Sequence, residues 1–85
     1  MTKVVIYSTN HCPYCRLAKS LLTSLKVAFE EIRVDLDVDK LKEMICLSNK
    51  RSVPQIFINN QSVGGYDDLA ALAKSGKLDG LLHSN

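Results

Sequence analysis

Cys12-Pro13-Tyr14-Cys15 follows directly on an apolar run, Val4-Val5-Ile6-Tyr7, and leads into a segment with helical periodicity. A Cys-X-X-Cys where a strand passes into a helix places one thiol at the helix N-terminus and the other one turn in. That is an arrangement for a reversible, reactive disulfide rather than a structural one. The reacting species is the thiolate. With Cys12 as N-cap and Pro13 as the first helical residue, the missing proline N–H costs no intrahelical bond. The free N–H groups of Tyr14 and Cys15 are then expected to point at the Cys12 sulfur.

Favouring a thiolate by roughly a thousandfold takes about 4 kcal/mol. A helix dipole supplies at most about 2 kcal/mol, so direct N–H···S bonds must supply much of the rest. Cys12 is therefore the expected nucleophile and Cys15 the more buried, resolving thiol. His11 and Arg16 are cations close by in sequence, and His11 is expected to tune the local field rather than act as a base. Half of a zinc site is the competing reading of the pair. Zinc wants four ligands, and outside the pair only Cys46, His11 and His83 remain, so redox chemistry is preferred.

Two further stretches are candidates for binding. Val53-Pro54 reads as an ordinary strand start or as a cis turn whose backbone is free to pair with an extended peptide. Gly64-Gly65-Tyr66-Asp67-Asp68 reads as a strand end and helix cap. With the carboxylate of Asp67 it also suits a group carrying both an ammonium and a carboxylate. Cys46 lies off the apolar stripe of its helix and is read as a half-exposed thiol without function, with regulatory oxidation as the alternative. His83 is given no role.

The elements that must hold these residues follow from periodicity. Residues 3–8 form a buried strand, and Leu17, Ala18, Leu21, Leu22 and Leu25 mark one face of a helix from about Pro13 to Lys26. Residues 28–36 alternate, with Ile32, Val34 and Leu36 on one face. A second helix spans about Val38 to Ser48, capped by Asp37 or Asp39. Pro54 opens the strand Gln55–Ile58, and Asn59-Asn60 turn it into Gln61–Val63. A third helix, capped by Tyr66 or Asp67, runs through about Lys74 to a stop at Gly76, and a last amphipathic turn covers Leu78 to His83. The order is β-α-β-α-β-β-α, a mixed four-stranded sheet with helices on both faces, its first βαβ unit parallel and right-handed.

The 85 residues allow one domain, 1–85, with no second core. No apolar stretch approaches the roughly 20 residues of a membrane span, and the start is too short in apolar residues for a signal peptide. The expected compartment is the cytoplasm. An odd count of 3 cysteines argues against a disulfide-stapled secreted scaffold. A net charge of +2 with few aromatics gives no sign of a nucleic-acid partner, and a monomer is expected.

Three blocks in this order, Cys12-Pro13-Tyr14-Cys15, then Arg51-Ser52-Val53-Pro54-Gln55-Ile56-Phe57-Ile58, then Val63-Gly64-Gly65-Tyr66-Asp67-Asp68-Leu69, resemble the glutaredoxin family. The likeness is to small bacterial dithiol members of the glutaredoxin 3 type and covers essentially the whole chain. It implies a thioredoxin fold, a cis Pro54, and glutathione as the electron-donating co-substrate, with no metal. It implies that Cys12 becomes S-glutathionylated and that Val53 pairs with the cysteinyl backbone of glutathione. Tyr66 and Asp67 would hold the γ-glutamyl end, Gly65 would allow close approach, and Tyr14, Arg51 and Pro54 would complete the site. Protein partners would be glutathionylated or disulfide-containing proteins, among them ribonucleotide reductase. Two positions depart from the family: Thr9 stands where a lysine is common, and Leu41 where a long polar residue often reaches the glycyl carboxylate. Lys40, Lys42 and Arg51 are the available substitutes. Iron–sulfur carriage and a thioredoxin-reductase-dependent redoxin are the alternative functions, each disfavoured: the first by Pro13 and the second thiol, the second by the Gly64–Asp68 block.

Overall fold

The chain was analysed in a computed structural model that describes residues 2–82. The elements are β1 (Val4–Ser8), α1 (Pro13–Ser24), β2 (Glu30–Arg33), α2 (Val38–Ser48), β3 (Gln55–Ile58), β4 (Gln61–Gly64), α3 (Tyr66–Ser75) and α4 (Lys77–Leu82). The four strands lie in the order β2-β1-β3-β4. β1 pairs parallel with β2 and antiparallel with β3, and β3 pairs antiparallel with β4. This is the mixed sheet of a thioredoxin fold, and it leaves β1 and β3 in the centre.

Alternation along the central strands splits the core in two. Val4, Ile6, Ile56 and Ile58 face one way and pack with Ala18 and Leu22 of α1, Leu69 of α3 and Leu78 of α4. Tyr7 and Phe57 face the other way and pack with Val34 and with Met44 of α2. The Tyr7 and Phe57 rings meet edge to face at 5.5 Å, and the Tyr7 hydroxyl donates to Glu43 of α2 at 2.8 Å. Between them the two layers fix where β1 ends and α1 begins.

Local signals set most boundaries. Asp37 caps α2 by accepting from the N–H groups of Asp39 and Lys40 at 3.0 and 3.3 Å. Asn59 and Asn60 both have positive φ, as a two-residue hairpin turn of the I′ type requires, and Gly76 ends α3 in the left-handed region.

Three expectations are corrected. The strand expected over 28–36 is only Glu30–Arg33, because Leu36 N–H closes a turn onto Arg33 O at 3.3 Å. Leu36 consequently lies 75% exposed rather than on a buried face. The alternation ran on through a turn that Asp35 fixes with Arg33 and with Asn10 N–H. The α3 cap is Gly65, not Tyr66 or Asp67. The last helical segment starts at Lys77, and its expected end at His83 lies outside the described residues.

Burial and the neighbouring Glu43 carboxylate push the Tyr7 hydroxyl up to about 12. Its proton is therefore kept in the folded chain after the unfolded chain has lost it, so the associated stability is complete below about pH 10 and is lost as pH rises towards 12. The midpoint of urea unfolding is expected to fall from pH 9 to 11, and to fall less steeply in Tyr7→Phe. An equal slope in the two chains would remove Tyr7 from the account.

Candidate active site

β1 is buried through Ser8, and its chain leaves the sheet through a short loop to Cys12. Cys12 is extended (φ −119°, ψ 106°) and caps α1, with Pro13 as its first residue. The Cys12 sulfur accepts the N–H of Cys15 at 3.2 Å. The second expected donor, Tyr14 N–H, is not engaged: of the two, the helix aims one at the sulfur, as a cap that reaches the N3 position does. In its thiol form Cys12 also donates to the carbonyl oxygen of Val53 at 3.7 Å. That contact ties the α1 cap to the turn before β3.

The two thiols differ in access. Cys12 retains 9% exposure and Cys15 none. Burial pushes the Cys15 thiol up to about 12, and a hydrogen bond with Cys12 adds to it. A backbone bond with Thr9 and the positive charge of Lys19 pull the other way without overcoming burial. Cys15 is thus a protonated thiol in the neutral range, held against Cys12 until something ionises it.

Beside Cys12 lies a groove of about 200 Å³ assembled from three separated stretches. Tyr14 comes from α1, Lys50 and Ser52 through Gln55 from the α2–β3 turn and the start of β3, and Gly65 through Asp68 from the start of α3. The Val53–Pro54 peptide bond is cis. The rings of Tyr14 and Tyr66 face each other at 6.2 Å across the two helix starts. Its lining carries opposite charges, Lys50 from the α2–β3 turn and Asp67 and Asp68 from the start of α3.

The glycine pair has a steric reason. Gly64 has φ +112°, and a side chain there would run into the Asp68 carboxylate. That carboxylate accepts the Gly65 N–H at 3.1 Å and so caps α3. A Cβ on Gly65 would come to van der Waals contact with Pro54 O at 3.4 Å, which shows how close the start of α3 lies to the cis turn. Asp68 is spent on the cap, whereas Asp67 is exposed in the first turn.

Tyr14, Val53, Pro54, Gly65, Tyr66 and Asp67 are all brought to the groove, as their place in the sequence blocks suggested. Arg51 is exposed and is not part of the lining; Lys50 stands there instead. Gln55 lines it too, although its side chain is nearly buried and donates to Ser52 O at 2.9 Å. Neither was singled out from sequence, although both flank the Val53-Pro54 pair. Leu41 packs against the Tyr7–Met44–Phe57 cluster, and Lys40 pairs with Glu43 at 3.6 Å. His11 is exposed, with Nε2 3.4 Å from the Asn10 side-chain amide, and Cys46 is exposed on α2. A larger cavity of about 340 Å³ lies at the start of β1, the end away from Cys12, and is lined mainly by apolar groups. Neither thiol of the pair reaches it.

The glutaredoxin family model matches residues 4–63. Glutaredoxin 3 of Escherichia coli is 50% identical over 82 residues, which span 96% of this chain and 99% of the relative. A glutaredoxin of Neisseria meningitidis is 49% identical over 84 residues, 98% of this chain and 99% of the relative. Among solved structures, glutaredoxin from Brucella melitensis superposes with TM-score 0.85 at 45% identity, covering 96% of this chain and 89% of that one. A buckwheat glutaredoxin–glutathione complex superposes with TM-score 0.86 at 27% identity, covering 95% and 76%.

Partial alkylation with iodoacetamide at pH 6, followed by peptide mapping, is expected to label Cys12 well ahead of Cys15. Preferential labelling of Cys15 would contradict the difference in access between the two thiols and the raised Cys15 thiol.

Proposed function

The chain belongs to the glutaredoxin family of thiol–disulfide oxidoreductases, and on that premise we propose that it reduces glutathione mixed disulfides and protein disulfides at the expense of glutathione. The observation that carries the reading is the Cys12 sulfur, capped by an N–H at 3.2 Å and in contact at 3.7 Å with Val53 O of a groove whose lining holds both a cation and carboxylates. Glutathione is an extended thiol peptide with a zwitterionic γ-glutamyl end and a carboxylate at the glycyl end. Asp67 and the start of α3 suit the first, and Lys50 suits the second. The buckwheat relative was solved with glutathione bound, which supports the same ligand here.

In the first step the Cys12 thiolate attacks the glutathione sulfur of a mixed disulfide. The Cys12–glutathione bond forms, and the substrate leaves as a thiolate that takes up a proton. A second glutathione thiolate then attacks the bound glutathione sulfur, giving glutathione disulfide and regenerating Cys12. The Cys15 N–H that favours the attacking thiolate also favours its departure, so one donor serves both halves of the cycle. With a protein disulfide, Cys12 forms the mixed disulfide and Cys15 attacks the Cys12 sulfur. The Cys12–Cys15 bond forms, the reduced protein is released, and two glutathione molecules restore the dithiol. Tyr14, Val53, Pro54, Gly65, Tyr66 and Asp67 hold glutathione, with Lys50 in the place first given to Arg51. Protein substrates of the type of ribonucleotide reductase fit the two-thiol route. We assign the activity to a monomer, residues 1–85 acting as one domain in the cytoplasm, where thiols are kept reduced.

Turnover of a small glutathione mixed disulfide, coupled to glutathione reductase, is expected for the native chain and for Cys15→Ser, and is lost in Cys12→Ser. Reduction of a protein disulfide is expected to fall by at least about tenfold in Cys15→Ser, since the mixed disulfide then waits for external glutathione. No turnover by the native chain would overturn the reading. Equal protein-disulfide reduction with and without Cys15 would overturn the two-thiol route.

A further inference from the structure

Cys15 has no exposure to solvent, yet closing the Cys12–Cys15 disulfide requires it as a thiolate. The groups around it show what could help. Lys19 is four residues on from Cys15 in α1, on the same helix face. Its ammonium is paired with Glu31 of β2 at 2.8 Å. The same Glu31 oxygen accepts the hydroxyl of Ser8 at 2.5 Å. Ser8 is fully buried at the end of β1, and the backbone of the next residue, Thr9, is among the groups that lower the Cys15 thiol. The end of β1 therefore fixes the lysine through Glu31.

We propose that Lys19 is a positioning residue for the second thiol, its ammonium fixed by Glu31 and Ser8 so that it favours ionisation of Cys15 during disulfide closure. The proposal rests on the reading of Cys15 as the resolving thiol. Lys19 and Ser8 hold the Glu31 carboxyl below its usual range, so the ion pair stays intact at neutral pH. Lys19 is also the cation whose charge lowers the Cys15 thiol against the burial that raises it. The remaining charged or titratable neighbours are Cys12 across the thiol pair, and Arg33, which acts on Glu31 but is itself held by Asp35 at 2.6 Å. His11 and Arg16, close by in sequence, are exposed. Glu30 acts on Tyr7 rather than on this cluster.

In the step concerned, Cys15 gives up its proton, which ends on the glutathione sulfur once that has left, and the Cys15 thiolate attacks the Cys12 sulfur of the glutathione adduct. The Cys12–Cys15 bond forms, the bond from Cys12 to glutathione breaks, and glutathione leaves with the electron pair as a thiolate. The Cys15 sulfur passes from the thiol to the disulfide level, the glutathione sulfur passes from the disulfide to the thiol level, and Cys12 stays at the disulfide level throughout. Loss of the Lys19 charge lowers the thiolate fraction. The more basic thiolate is the better nucleophile, so a tenfold loss of thiolate slows attack only about three- to fourfold.

The test starts from the Cys12–glutathione adduct in a Cys46→Ser background and follows glutathione release by quenched mass spectrometry between pH 6 and 9. Lys19→Met is expected to slow release about two- to threefold across this range, with Lys19→Arg close to the parent rate. Unchanged closure in Lys19→Met, or equal slowing in Lys19→Arg, would overturn the proposal. The adduct of Cys15→Ser is expected to release no glutathione. Release from that chain at the parent rate would instead overturn the resolving role of Cys15.

Discussion

One hydrogen bond organises the reactive end of the chain, the Cys15 N–H donating to the Cys12 sulfur at 3.2 Å. It exists only if Cys12 is extended and Pro13 begins the helix, and both hold because β1 delivers the chain to that point from the centre of the sheet. Shift the strand by one residue and Tyr7 would leave the α2 layer while Ile6 left the α1 layer. The hydrophobic register of β1 is thus also the register of the active cysteine. Core packing and sulfur chemistry are set by the same five-residue strand.

The groove depends on a second constraint, close approach of α3 to the turn before β3. Gly64 permits it by its left-handed backbone, and Gly65 lies within contact distance of Pro54 O. Asp68 then closes the helix start by accepting from Gly65. These choices cost conformational entropy on folding, since glycine has more freedom to lose than other residues. The return is a groove in which Tyr66 stands against Tyr14 and an unspent carboxylate, Asp67, is left at the rim.

The sequence made the fold legible wherever the signal was local. Pro13 after Cys12, Asp37 before Val38, the Asn59-Asn60 pair and Gly76 each fix a backbone conformation through their own chemistry, and each boundary lies where that chemistry puts it. What failed was what depends on distant partners. The alternation through Leu36 looked like a strand, but Asp35, which accepts from the distant Asn10 N–H as well as from Arg33, bends the chain away. The Ser8–Glu31–Lys19 chain joins β1, β2 and α1, and only the parallel register that sets Ser8 beside the end of β2 brings its members together. Lys50 in place of Arg51 is a matter of which way a turn points, which composition does not encode.

Leu41 shows how a departure from a family pattern is absorbed. At a position where a polar side chain would reach outward, leucine instead packs on Tyr7, Met44 and Phe57 and extends the α2 core. Lys40, one of the two cations flanking it, is paired with Glu43, which also receives the Tyr7 hydroxyl. Neither Lys40 nor the exposed Lys42 lines the groove, whose positive charge comes from Lys50 on the following turn. The groove's opposite charges thus come from different elements, Lys50 from the turn before β3 and Asp67 from the first turn of α3.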